Sequence, residues 1–262
     1  MRLIDSHCHV QADAFASDAF EVLAAARLAG VERVMVPGWD LESSRAAVAL
    51  ARRTDVQASA GIHPHVAAQA DDAAWREVVE LAATPEIAAI GETGLDYDRG
   101  MSPREAQLEN LRRHLALARA VVKPVILHCR SKPGERDAQD DLLRELAVTG
   151  GDTPALLHSF SGPVDYGERA LELGLTVSFS GLVFRTGEEA SAEFARVVPA
   201  DRLLVETDSP YLSPPGAPRR RNEPEHVAIT ARWLAETRGD DPASLGDQLV
   251  ANYDGIFSRR PT

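Results

Sequence analysis

The sequence is poor in cysteine and has no long apolar run. Its 262 residues include two cysteines, Cys8 and Cys129, which are too few for a disulfide framework. The chain shows neither a basic start followed by an apolar stretch nor a later run of about eighteen apolar residues. We therefore expect a cytoplasmic protein that has no membrane partner.

Positive charge is scarce as well. Lysine and arginine together number 28 against 40 acidic residues, for a formal net charge of −12 at pH 7. Only Lys123 and Lys132 are lysines, so the basic side chains are almost all arginine. An acidic surface repels polyanions, which excludes indiscriminate duplex binding through a basic face. A nucleic-acid substrate would have to be held by local groups.

Apolar runs alternate with amphipathic stretches along the whole chain, a pattern typical of strands followed by helices. The predicted strands are Leu3–His9, Arg33–Pro37, Gln57–His63, Ile87–Glu92, Val125–His128, Ala155–His158, Thr176–Ser180 and Leu203–Glu206. The predicted helices are Asp18–Ala29, Leu41–Arg53, Asp72–Ala83, Pro103–Ala120, Glu135–Ala147, Val164–Leu173, Glu188–Val197 and Glu225–Thr237. Eight such units in 262 residues predict an α/β fold, a single-domain (β/α)₈ TIM barrel over residues 1–262.

Most of the histidines follow predicted strands. Two of the eight, His114 and His226, fall elsewhere. The other six lie at or just past strand ends, which is the catalytic face of a barrel. They are His7, His9, His63, His65, His128 and His158. This clustering predicts one common site more strongly than any single histidine does.

The first strand ends in His7-Cys8-His9. Residues at i and i+2 project from the same face of a strand, so both imidazoles can point into the barrel mouth. Two histidines at this spacing form half of a site for a divalent transition metal. The alternative is a pair of hydrogen-bonded core histidines.

The ends of the fourth, fifth and sixth strands supply one donor each. Glu92 lies between two glycines at the fourth strand end, where a carboxylate could bridge two metals. His128 and His158 end the fifth and sixth strands. Taken singly, the glutamate could instead cap a helix or join an ion pair, and each histidine could be a satisfied core residue. Their succession favours metal ligands.

Asp208 follows the last strand, in Glu206-Thr207-Asp208-Ser209-Pro210. A carboxylate there can bind a metal and accept a proton from water that the metal activates, because coordination lowers the pKa of water. Asp208 is therefore the candidate general base. The alternative is an aspartate that opens the turn before the proline.

Substrate contacts are expected from three segments that follow different strands. His63 and His65 follow the third strand, where they could donate hydrogen bonds to a phosphate or support the metal ligands. Arginine forks suit phosphate oxygens, which makes Arg130 and the Arg219-Arg220-Arg221-Asn222 segment candidates for substrate binding. An ion pair for Arg130 and a solvated surface run for the segment are the alternatives.

Seven strings in order resemble the TatD family of metal-dependent deoxyribonucleases over residues 3 to 257. They are H-C-H, G-I-H-P-H, G-E-T-G-L-D, L-H-C-R, H-S-F-S-G, E-T-D-S-P-Y-L and R-N-E-P. The resemblance implies a TIM-barrel hydrolase of ester bonds that removes nucleotides from DNA 3′ ends. We expect these ends to be single-stranded and the reaction to use two divalent cations, such as magnesium, manganese or zinc.

Carried over by motif, the ligands of one metal are His7, His9, Glu92 and Asp208, and those of the other are Glu92, His128 and His158. His63 corresponds to the family's substrate-side histidine, and we count it with Asp208 and Glu92 as catalytic. The chain departs from the family at Asp98 and Arg99, where a second aromatic or hydrophobic residue is common, and in its more basic Arg219–Arg221 segment. These positions lie in substrate-facing loops.

Two other functions fit the same residues. A related amidohydrolase could direct the same activated water at the carbonyl carbon of a small ester, lactone or amide, and the acidic surface favours this. A metal-stabilised barrel that only binds a partner is the non-enzymatic alternative. The native metal and the oligomeric state are open from sequence, and a monomer is compatible with it.

Overall fold

Eight short strands lie in chain order in one parallel sheet. The computed structural model describes residues 1–149, 153–218 and 220–258. The strands are β1 (Leu3–Asp5), β2 (Val31–Pro37), β3 (Gln57–Ala60), β4 (Ile87–Asp96), β5 (Val125–Arg130), β6 (Ala155–Leu157), β7 (Thr176–Phe179) and β8 (Leu203–Val205). Beyond β8, the N–H of Ser6 donates to Val205 O at 3.1 Å and that of Asp208 to His7 O at 2.9 Å. These bonds join the last strand to the first, which confirms the predicted barrel.

A helix follows each strand and packs outside the sheet. The helices are α1 (Ala19–Leu28), α2 (Leu41–Ala51), α3 (Asp72–Ala82), α4 (Arg104–Val121), α5 (Asp137–Thr149), α6 (Val164–Glu172), α7 (Glu189–Val197), α8 (Val227–Arg238) and α9 (Pro242–Phe257). Strand residues such as Ile126 and Leu127 are fully buried, as expected for strands covered on both faces. In the described part of the chain, no helix combines the length and the apolar character needed to cross a membrane.

The sequence prediction missed α9. Asp241 caps this helix by accepting the N–H of Ser244 at 2.9 Å, and Pro242 occupies the first turn. Its buried side chains, Leu249 and Tyr253 among them, pack against β1 and β8. An Asp-Pro pair ahead of apolar residues spaced by four was the available signal.

Strand ends also differ from the prediction. β1 ends at Asp5, two residues before His7, and β3 ends at Ala60, three residues before His63. β4 runs four residues past Glu92, and its pairing with β5 shifts register between Ile90 and Thr93. The histidine segments therefore leave the sheet and cross the barrel mouth, where their side chains meet.

Candidate metal centre

The six predicted metal ligands meet at the carboxyl ends of the strands. The first group, which we call site 1, consists of His7 Nε2, His9 Nε2, Glu92 Oε2 and Asp208 Oδ1. The two imidazole nitrogens lie 3.3 Å apart. Glu92 Oε2 is 3.3 Å from His7, and Asp208 Oδ1 is 3.5 Å from His9.

The second group, site 2, consists of Glu92 Oε1, His128 Nδ1 and His158 Nε2. The carboxylate oxygen lies 3.2 Å from His128 and 2.9 Å from His158. The two imidazole nitrogens are 3.2 Å apart. Glu92 therefore turns one oxygen toward each group, which is the arrangement that a bridging carboxylate needs.

The spacing of these donors fits divalent cations. Ligands about 2.1 Å from one tetrahedral ion lie about 3.4 Å from each other. The donor separations at the two sites range from 2.9 to 3.9 Å and include that value. His63 comes equally close, with Nε2 at 3.1 Å from Glu92 Oε1. His63 therefore reaches the ligand shell of site 2, nearer than a purely substrate-side position requires.

The pKa values of the donors are shifted in different directions. Burial would raise the pKa of Glu92, but the surrounding imidazoles, His63 and His158 first, outweigh it and hold that pKa well below its usual value. Burial lowers the pKa of His7, and it lowers the pKa of His63 to about 4, so both rings are neutral at pH 7. Burial would also lower the pKa values of His9, His128 and His158, but the neighbouring carboxylates outweigh it and raise them. Metals bind neutral imidazoles and ionised carboxylates, so a cation would displace the protons that these three rings attract.

Asp208 is also ionised at neutral pH. Burial would raise its pKa, but the contact with His9 outweighs that effect, and the pKa lies below the usual value. The residue adopts φ of 53°, a left-handed conformation that aspartate tolerates better than most residues. The chain thus places an acceptor-only carboxylate beside site 1.

Two carboxylates behind the ligands orient site 2. Asp96 Oδ2 accepts from His128 Nε2 at 3.0 Å and from His65 Nε2 at 2.8 Å. Glu206 Oε1 contacts His158 Nδ1 at 3.2 Å. Such bonds fix the tautomer and rotation of a ligating imidazole. Sequence reasoning missed both carboxylates, although each lies an even number of residues from a predicted ligand on the same strand segment.

Helix α4 sets the position of His63. Asn110 Nδ2 donates to Ile62 O at 2.7 Å, and the Ile62 N–H donates to His114 Nε2 at 3.0 Å. Both backbone groups of the residue before His63 are therefore bonded to buried side chains of this helix. His114, which the sequence set apart from the site, supports it from behind.

A glycine brings β4 and β5 together at the site. Gly94 has φ of 139°, and a Cβ there would overlap the carbonyl oxygen of His128. Only glycine permits this close approach of the two backbones. Its place in the G-E-T-G-L-D string therefore has a steric reason.

A cavity of about 540 Å³ opens above the donors. His65 and Arg130, both predicted as substrate contacts, line it, as do His9, His63, Glu92 and Asp208. Arg99, in a loop that the sequence analysis placed toward the substrate, lines it too. Trp39 and Tyr211 are further wall residues, and neither was among the predicted site residues.

The segment that contains Arg220, Arg221 and Asn222 does not line the cavity. Arg221 donates to Asp18 at 2.7 Å and to Glu223 at 2.7 Å, and its guanidinium covers the ring of Phe15. Asn222 is buried and donates to backbone carbonyls of Thr207 and Tyr211.

The polar groups of Arg221 and Asn222 are thus used within the protein, and neither residue lines the cavity, so their role in substrate binding stays a prediction. Arg220 is exposed and is not part of the cavity wall. Arg219 lies outside the described residues.

Comparison with known proteins agrees with the geometry. The family model described as TatD related DNase matches residues 4–258. A protein of Erwinia billingiae named 3′-5′ ssDNA/RNA exonuclease TatD is 36% identical, with 97% of this chain and 98% of that protein covered. The chain belongs to the TatD family.

Other TatD-family relatives carry two kinds of name. The Escherichia coli 3′-5′ ssDNA/RNA exonuclease TatD is 35% identical, with 97% of this chain and 98% of that protein covered. A Bacillus subtilis protein named an uncharacterized metal-dependent hydrolase is 34% identical over the same shares.

The crystal structure of a TatD homologue from Escherichia coli superposes with a TM-score of 0.91 at 28% identity, covering 99% of each chain. The predicted family, barrel and metal-dependent hydrolase class are confirmed.

Proposed function

We propose that this TatD-family hydrolase removes nucleotides from the 3′ ends of single-stranded nucleic acid, DNA above all, with the help of two divalent cations. One observation carries the proposal: Glu92 turns one oxygen to each of two donor groups on the floor of an open cavity. The names of the Erwinia billingiae and Escherichia coli relatives support the substrate class.

Site 1 and site 2 would each hold one cation. When bound, the cations activate water for attack and neutralise charge on the reacting phosphate. Magnesium, manganese and zinc are the candidates, since the donors are imidazoles and carboxylates. Glu92 fixes the distance between the two sites, and Asp96 and Glu206 hold the site 2 imidazoles in orientation.

Asp208 serves as the proton acceptor. Hydrolysis forms a bond between a water oxygen and phosphorus and breaks the bond from phosphorus to the 3′ oxygen of the shortened strand. Asp208 takes the proton of the attacking water, and the leaving 3′ oxygen takes one from solvent. An ionised, acceptor-only carboxylate at the edge of the cavity suits this role.

His63 positions the phosphate. Its Nδ1 accepts the N–H of His65 at 3.1 Å, so the neutral ring carries its proton on Nε2. That N–H faces the donor cluster and can donate to a non-bridging phosphate oxygen. Arg130, in the cavity wall, supplies positive charge to the same strand.

Release of nucleotides from a 3′-labelled single-stranded oligonucleotide tests the proposal. Magnesium, manganese and zinc are added in turn to metal-free protein, with EDTA as the control. We expect metal-dependent loss of the label, abolished in Glu92→Gln and Asp208→Asn and retained in Glu80→Gln, a matched substitution on the exposed face of α3.

Circular dichroism of each variant establishes that it is folded. Absence of release with every metal, together with turnover of p-nitrophenyl esters, would replace the nuclease by the small-ester hydrolase. Near-normal nuclease rates in Asp208→Asn would remove that carboxylate from the reaction.

A further inference from the structure

The cavity above the metal centre has two chemically different walls. Trp39 and Tyr211 contribute aromatic rings to its lining, and Arg99 and Arg130 contribute guanidinium groups. None of the four binds a predicted cation. Their arrangement bears on how a strand lies across the site, a question that rests on the proposed nuclease function.

Strand order places the two pairs opposite each other. Trp39 follows β2 and Tyr211 follows β8, so they flank β1 in the sheet. Arg99 follows β4, and Arg130 is the last residue of β5. In a closed ring of eight strands, β1 lies across from β5, and the donor groups divide along the same line.

The aromatic wall adjoins site 1. The ring of His9 lies 5.1 Å from that of Trp39 and 6.3 Å from that of Tyr211, measured between centroids, and both pairs are T-shaped. The Tyr211 side chain is 61% exposed despite its size. Exposed aromatic rings beside a phosphate site form stacking platforms for bases.

The arginine wall adjoins site 2. Within the described residues, neither guanidinium has a hydrogen bond or an ion pair with the protein, whereas Arg221, Arg33 and many surface arginines are paired with carboxylates. An unpaired guanidinium in a cavity wall of an acidic protein is available to a phosphate.

From this division we propose that the two walls set the direction of the strand. The base of the 3′-terminal nucleotide stacks between Trp39 and Tyr211, the scissile phosphate lies over Glu92, and the next phosphate of the strand binds Arg99 and Arg130. The neutral, aromatic side thus holds the nucleotide that leaves, and the cationic side holds the strand that remains.

Single variants assayed on modified substrates test this direction. One 5′-labelled oligonucleotide is natural, one carries an abasic residue at its 3′ end, and one carries a neutral methylphosphonate at the second linkage. The variants are Trp39→Leu, Tyr211→Leu, Arg99→Gln and Arg130→Gln. The controls are Phe20→Leu, an exposed aromatic on α1, and Arg76→Gln on α3.

On the natural strand, we expect kcat/KM to fall roughly 5- to 100-fold for the aromatic variants and roughly 10- to 100-fold for the arginine variants. Compared with the wild type on the same strand, the aromatic variants should show no loss of kcat/KM on the abasic strand. On the methylphosphonate strand they should show the same fold-loss as on the natural strand. The arginine variants should show the converse, and the controls should match the wild type on all three.

The wall assignment is overturned if the aromatic variants lose as much on the abasic strand as on the natural strand, or if the arginine variants lose as much on the methylphosphonate strand. If the aromatic variants are insensitive on the methylphosphonate strand and the arginine variants on the abasic strand, the strand runs in the opposite direction. Either result leaves the nuclease intact. No release from the natural strand by the wild-type protein refutes the proposed function itself, and the wall assignment with it.

Discussion

Stability should depend on pH through His114, which lies in α4 behind the site. The side chain is fully buried, Nδ1–H donates to Asn110 O at 2.7 Å, and Nε2 accepts the Ile62 N–H at 3.0 Å. Burial lowers its pKa from 6.5 to about 4. A second proton would place an N–H against the N–H of Ile62, so the folded state keeps the ring neutral.

The unfolded chain binds this proton first as the pH falls, so the stabilisation is complete above about pH 6.5 and is lost between that pH and about 4. A difference of about 2.5 pH units at about 1.4 kcal/mol each gives about 3 kcal/mol of unfolding free energy. His114→Gln keeps an acceptor for Ile62 and removes the titration.

The assay is urea unfolding followed by circular dichroism at several pH values from 7.5 to about 4, for the wild type and for His114→Gln. Other titrating groups, including the donor cluster, contribute to both proteins and cancel in the difference. We expect the wild type to lose about 3 kcal/mol more than the variant over this range. A constant difference at all pH values refutes the reasoning, whatever its size.

Three further outcomes follow from single contacts. Asp96→Asn should weaken manganese or zinc binding about 10- to 100-fold in calorimetry, because His128 loses its orienting carboxylate, while Asp98→Asn should not. Gly94→Ala should lower the unfolding free energy by more than about 1 kcal/mol and by more than Gly100→Ala, which also has positive φ but open space around it; equal losses would contradict the overlap with β5. Arg221→Gln should lower the thermal midpoint and leave nuclease rates unchanged, and a loss of activity would return that arginine to the substrate site.

The periodic pattern of the sequence was enough to predict the barrel and the residues that supply the donor atoms. Apolar runs alternate with amphipathic stretches eight times, and parallel strands align their carboxyl ends, so residues such as His7, His128 and Asp208 had to meet on one face. These donors still meet where the observed strands end earlier or later than predicted. The reason is that every strand runs toward the same end of the barrel, whichever residue makes its last hydrogen bond. Helix α9 was missed because its apolar residues follow the eighth unit, beyond the eight strand-helix repeats that a barrel requires.

Contacts between distant segments were decided only by the tertiary structure. Asp96 reaches His128 because β4 extends past Glu92 and pairs with β5 to its end. Arg221 looked like a phosphate ligand in the sequence, yet it is held by Asp18, about 200 residues earlier in the chain, which no local pattern reveals. The sequence specified which chemical groups are present and on which face of the barrel they lie, since those follow from local periodicity. Which groups remain free to bind a substrate depends on long-range packing, and therefore on the folded structure.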